Sequence, residues 1–397
     1  VGNGAWFASY AVFFVRVVKL SPVAVGFGLL LAGVLGTVLS TPAGHLADRR
    51  GPRGVVVAVS LLEAVSFLGY ALIDGLPGFL LVATVTGASA SAGVATRRAL
   101  VAGLTAGTQR LRAMATQRVA SHAGLAIGAA AGAVVISLDQ RAVYLVLIFV
   151  NAGTFAIQAV IVAGLPKVAP VPREDTHAGL IALRDRPYVV LAALMGVLTL
   201  CWSMLSTGIP LWVSLHTDAP QASSSIVVVL NCLGIVAFQS RVARRADSPA
   251  RAARTALFAG LALAASCLIF AAAGALSAGA AAALILAGGC VHLTGELLFV
   301  AASWGLSLSL MREHARGQYQ GVFATGEAAA ITAGPAVMTT LVAGAGVPGW
   351  IVLGAVFVTA GAVTIPVTRW AVRTRGEGDR GAQVRPPGEV AAAGDGA

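Results

Sequence analysis

Long apolar runs broken by short polar knots organise this chain. Stretches rich in Ala, Gly, Leu and Val occupy 2–18, 22–43, 54–73, 77–96, 115–137, 141–164, 188–214, 221–241, 253–275, 279–308, 316–344 and 348–372. Most approach or exceed the roughly 20 residues that an α-helix needs to cross a bilayer. Membrane strands alternate apolar and polar positions, whereas these runs are continuous. The pattern therefore predicts an all-α membrane protein with twelve transmembrane helices. The seventh and tenth runs are long, which predicts tilt or a helix break in each. The first carries Arg16, with no basic segment ahead of it and no small-residue cleavage site, and does not read as a signal peptide.

Composition agrees with the pattern. The 397 residues are 57% hydrophobic and 11% charged, against about 25% charged in a typical soluble domain. That leaves too little polar surface for a water-soluble globule. The four cysteines, Cys201, Cys232, Cys267 and Cys290, lie inside apolar runs and read as packing residues.

Charge gives the runs a direction. Apart from Arg16, Lys19 and Arg141, all of the 27 Lys and Arg fall in the connections after even-numbered runs, close to them, or in the C-terminal tail. The positive-inside rule places those connections, and both termini, in the cytoplasm of a cell whose inner membrane holds the protein. This distribution accounts for the net charge of +11. The basic residues come in separated loops without interleaved aromatics, which argues against nucleic-acid binding.

The polar connection at 167–187 divides the chain into bundles at 1–166 and 188–372, each with six runs. Residues 373–397 are Gly, Pro and charge, and read as a disordered cytoplasmic tail. Sliding the second half onto the first aligns Trp6 with Trp202, Ala47 with Ala243 and Arg49 with Arg245. Two six-helix halves related by an axis along the membrane normal are a known transporter plan.

The densest polar knot is GHLADRRGPR at 44–53. Gly44, Asp48, Arg49, Gly51 and Arg53 match a G-x-x-x-D-R-x-G-x-R pattern. In this place, between the second and third runs, it resembles the loop signature of the major facilitator superfamily. The whole chain is similar in plan to the actinobacterial-type multidrug and small-molecule efflux permeases of that family. From the residues alone, Asp48 can cap a helix N-terminus and pair with a neighbouring Arg, while Gly51 permits a tight turn. The resemblance implies that this loop works as a conformational switch between the two halves.

Other positions are candidates. Gly124, Gly128 and Gly132 form a double G-x-x-x-G in the fifth run, with Gly334 and Pro335 at the pseudo-equivalent place in the eleventh. Both suit close helix packing and are similar to the glycine-rich helix of the family's exporters. The family's buried arginine in the fourth helix is missing from 82–87, and Arg97 and Arg98 fall at the expected helix end. Ionisable residues at membrane depth are usually functional. Glu296, His292, Glu327 and Glu63 are therefore proton-coupling candidates. His292 and Glu296 share a helix face at i and i+4, as a proton-binding pair or as a structural hydrogen bond. One His and one Glu do not make a metal site.

If the family fold holds, Asn3, Trp6, Tyr10, Phe14, Trp202, Ser206, Thr294 and Trp304 line the substrate cavity. Their mixture of aromatic and small polar groups suits amphipathic organic molecules. The sequence has no Walker lysine motif and no polar catalytic cluster. It predicts a non-enzymatic, monomeric secondary carrier without cofactor or metal. Its expected partners are protons, a small-molecule substrate and the lipid bilayer. Proton-coupled efflux by alternating access is the expectation, with proton-coupled nutrient import as the alternative.

Overall fold

The computed structural model describes residues 4–6, 10, 13–138, 140–170 and 181–383. Among them, nine helices are long and apolar enough to cross a membrane. In chain order the helices begin with α1, a π-helical turn at Phe13–Val17. The first half continues with α2 Pro22–Arg50, α3 Pro52–Gly69, α4 Leu76–Leu104, α5 Thr108–Leu138 and α6 Arg141–Ala163. The second half holds α7 from Arg186 to His216, α8 Ala222–Ala243, α9 Pro249–Ala273, α10 Ala278–Ser309, α11 Arg316–Met338 and α12 Val347–Gln383.

Helices α5 and α11 are not among these nine. Only part of the first expected run, 2–18, lies within the described residues. Residues 171–180 of the expected linker and 384–397 of the expected tail also lie outside them. The tail boundary moves, because α12 runs on to Gln383.

Local chemistry explains the helix ends. Ser21 caps α2, its Oγ accepting from the Ala24 amide at 3.2 Å, with Pro22 at the first turn. Between α2 and α3 the chain reverses at Gly51, whose φ of 85° suits a residue without Cβ. Pro52 then starts α3. Arg53 donates from Nη1 to the Leu165 carbonyl at 2.9 Å, pinning the start of α3 to the end of α6.

The two long runs behave differently. The seventh widens into a π segment at Met204–Gly208 and resumes as Ile209–His216. Pro210 has no N–H to donate, and a π turn ahead of it absorbs the missing bond. The tenth, α10, is an unbroken α-helix, so the break allowed for it does not occur.

The buried apolar residues form two main clusters, one within the first half and a larger one in the second half that also takes in Ala102, Leu111, Met114 and Ala115 of α4 and α5. In the first, Trp6, Phe13, Phe14, Phe67, Tyr70 and Phe79 stack in one aromatic cluster. In the second, Trp212 packs edge-on against Trp350 and donates from Nε1 to the Phe270 carbonyl at 2.7 Å. Large apolar side chains remain exposed on outer faces, among them Val160, Ile161, Leu233 and Phe258. Exposed apolar surface on this scale suits a lipid environment. The halves meet chiefly where α2 packs on α11 and α5 on α8.

Candidate functional site

Two places join the halves. The first is a seam at the end that carries the basic loops. Asp48, near the end of α2, is buried. Its Oδ1 accepts from the Gly317 amide at 2.8 Å and its Oδ2 from the Gln318 amide at 3.0 Å. Those amides belong to the first turn of α11, which carries partial positive charge and lacks intrahelical acceptors. Asp48 of the first half thus caps a helix of the second. The expected arginine partner is replaced by backbone amides, and Arg49 is exposed to solvent.

Small residues allow the approach. Gly44 lies against Gly317, and Gly321 faces the Ser40–Thr41 backbone, where an added Cβ would come within 2.8 Å of the Thr41 Cα. Thr41 and Thr325 hydroxyls meet at 2.8 Å, and Gln318 Nε2 lies 2.6 Å from His45 Nδ1. At the same end, Arg110 at the start of α5 makes a two-pronged ion pair with Glu313, at 2.6 and 3.2 Å.

The second place is a cavity of 570 Å³ between the halves. Its wall comes from α4, α5 and α6 on one side and from α7, α10 and α11 on the other. Arg97, Arg98, Arg118, His122 and Glu327 supply the ionisable groups, and Gln117, Gln158 and Ser303 add polar ones. Phe155, Trp202, Phe299 and Trp304 supply the aromatic surface. This corrects the reading of α4. Arg97 and Arg98 lie within the helix, which runs on to Leu104, and both guanidiniums line the cavity.

Each arginine has a carboxylate. Arg98 crosses the halves to Glu327 at 2.5 Å. Arg118 crosses to Glu296 on α10 in a very short contact, and its guanidinium lies 5.3 Å from the centre of the Trp202 ring. Arg97 stays within its own half and reaches Glu63 on α3 at 3.5 Å. Glu63 and Glu296 are each only 2% exposed and lie behind their arginines, away from the cavity surface. The other oxygen of Glu296 accepts from Asn231 Nδ2 at 2.6 Å. A buried ion pair survives when such extra hydrogen bonds satisfy the carboxylate.

The remaining candidates are dispersed. His292 is fully buried and its Nε2 lies 2.9 Å from the Cys201 carbonyl, against α7. Trp202 and Trp304 line the cavity. Trp6, Tyr10 and Phe14 do not. They belong to the aromatic core of the first half, because aromatic faces bury most surface against one another. Ser206 and Thr294 are exposed outside the cavity wall, and the Thr294 hydroxyl is turned back onto the Cys290 carbonyl at 3.0 Å. Asn3 lies outside the described residues.

Gly128 and Gly132 are buried. Gly4 sits so close to this helix that a Cβ there would lie 2.5 Å from the Leu125 carbonyl oxygen and 3.1 Å from the Gly128 Cα. Gly124 is half-buried. Gly334, one residue before Pro335, presses α11 onto Ser203 of α7. Among the described residues no cluster of three or more His, Cys, Asp or Glu is placed to hold a metal.

Sequence reasoning missed Arg97, Arg98, Arg118, His122 and Asn231 as site residues. For the three arginines the signal is present but reads as loop charge, because basic residues lie next to apolar runs; His122 and Asn231 carry no such signal. A helix can carry such residues deep into a bundle when partners wait on another helix.

A helical bundle with lipid-suited outer faces encloses a polar cavity lined by helices from both halves of the chain. The chain belongs to the Major Facilitator Superfamily, whose family model matches residues 2–335. Two Mycobacterium tuberculosis proteins, both named uncharacterized MFS-type transporters, are each 32% identical to it over 158 residues. That match covers 38% of this chain and 36% of each relative, so only about a third of their length is spanned. Solved structures extend the likeness of fold. The human organic anion transporter MFSD10 superposes with a TM-score of 0.67 at 17% identity, over 91% of this chain and 89% of its own. A bacterial homologue of the iron transporter ferroportin, in an outward-facing state, superposes with a TM-score of 0.70 at 14% identity, over 94% and 96%.

Proposed function

We propose that the protein is a proton-coupled secondary carrier that exports amphipathic small molecules across the cytoplasmic membrane. The observation that carries this reading is the pairing of cavity charges across the halves, Arg118 with Glu296 and Arg98 with Glu327. Protonation of either carboxylate removes the charge its arginine holds, weakens that tie and lets the halves part. Asp48 of α2, capping α11, holds the basic-loop end shut in this conformation, and the halves rock about the cavity when that hold is released.

Two arms test the reading. Everted vesicles under an imposed proton gradient accumulate substrate if the carrier exports, and right-side-out cells do so if it imports. Glu296→Gln retains substrate binding and loses gradient-driven accumulation. Normal accumulation by that variant removes Glu296 from the proton path.

A further inference from the structure

Glu63 and Glu296 stand behind the arginines they neutralise, and this arrangement gives the cavity wall its chemistry. The ionisable groups at the surface are three guanidiniums, one carboxylate and one imidazole. The one exposed carboxylate, Glu327, is already held by Arg98 at 2.5 Å. Arg97 is held least: its one ion pair is 3.5 Å long, and it is the most accessible of the three at 24% exposure. Arg97 and Arg98 are consecutive on α4 and line the same cavity. Buried polar atoms nearby also lack partners, namely Arg118 Nε, His122 Nδ1 and Trp202 Nε1. The rest of the wall is aromatic and aliphatic, from Met114, Phe155, Trp202, Phe299, Val300 and Trp304.

We infer that the cavity takes an amphipathic organic anion, with its acidic group on Arg97 beside Arg98 and its apolar body against Trp202, Phe299 and Trp304. The inference rests on the carrier reading and deepens it by naming the substrate class. A guanidinium with one long contact retains donors for a carboxylate or sulfonate, and its planar fork can offer two at once. A cationic drug of the same shape finds guanidinium groups lining the wall while Glu63 and Glu296 lie behind them, and Arg98 already holds the single carboxylate at the surface. A neutral molecule gains the aromatic contacts and leaves the Arg97 donors unused. The volume of 570 Å³ suits a molecule of drug size.

The test uses the full chain in lipid nanodiscs and three probes that share one apolar body: naphthaleneacetate, naphthaleneacetamide and naphthylethylamine. Calorimetric titration, corrected for empty nanodiscs, is expected to give at least about tenfold tighter binding of the anion. Arg97→Gln combined with Glu63→Gln removes the ion pair without stranding a buried charge. It should abolish the preference for the anion over the amide, and Arg97→Lys should keep most of it. Equal or tighter binding of the amide or the amine overturns the inference, as does failure of the anion to bind. So does an undiminished anion preference in the double variant. Flux in proteoliposomes separates this from the carrier reading. Anion-selective binding without transmembrane movement of the anion sinks the carrier reading alone, and gradient-driven movement of the amine but not the anion sinks only the substrate class.

Discussion

Gly44 of α2 and Gly317 of α11 meet backbone to backbone across the two halves, so that a Cβ on either would overlap the carbonyl oxygen of the other. No flexible side chain lies between them to give way. Alanine at Gly44, or at Gly321 one helical turn along the seam, therefore wedges the halves apart at the basic-loop end. Spin labels on the exposed Arg50 and Arg312 report this directly. Their distance distribution should lengthen in Gly44→Ala and in Gly321→Ala, and transport should fall with it. An unchanged distribution would mean that the seam does not control this conformation.

Asp48 supplies the attraction that the glycines make room for. Asp48→Asn keeps an oxygen acceptor for the α11 amides and deletes the charge. A carboxylate at a partly buried helix N-terminus contributes up to about 2 kcal/mol, and about 1.4 kcal/mol is a tenfold change in population. The closed form of the same spin-labelled pair should drop by roughly that factor in the Asn variant. Asp48→Glu keeps the charge but lengthens the arm against a backbone with no slack, so it should rescue only partly.

Arg118 and Glu296 are best tested together. Removing either one leaves the other buried and uncompensated, at a cost of about 3–5 kcal/mol. Thermal unfolding in detergent should show Arg118→Gln and Glu296→Gln each well below the native protein, with the double variant above both. Effects that simply add would show that the pair is not coupled in the folded carrier. Loss of gradient-driven accumulation in Glu296→Gln at a temperature well below its unfolding midpoint then reports on coupling rather than on folding.

Much of the architecture was legible because apolar runs in the second half carry few charges: α8, α9 and α10 begin and end close to where hydropathy changes. The Asp48 motif was legible for a different reason, since its glycines, carboxylate and arginines are contiguous. The cavity was not legible. The helix ends at Arg97 and Arg98 were drawn early because charge halts an apolar run, yet these residues continue α4 and find Glu63 and Glu327 on other helices. Arg118 and Glu296 lie far apart in the chain, and no local pattern announces that they meet. Trp6, Tyr10 and Phe14 misled for the opposite reason. An aromatic residue on the first helix serves a cavity wall or a core equally well, and only the facing Phe67, Tyr70 and Phe79 decide it.

The glycine contacts along α2 and α11 also bear on the balance between the closed and parted arrangements. A surface built from bare backbone and short hydroxyls has almost no rotamer freedom to surrender when it comes together. Closing this end of the molecule freezes little, and parting it frees little, so the two arrangements can lie near one another in free energy. Such a hinge is easily tipped by a modest push, such as a single carboxylate gaining or losing its proton.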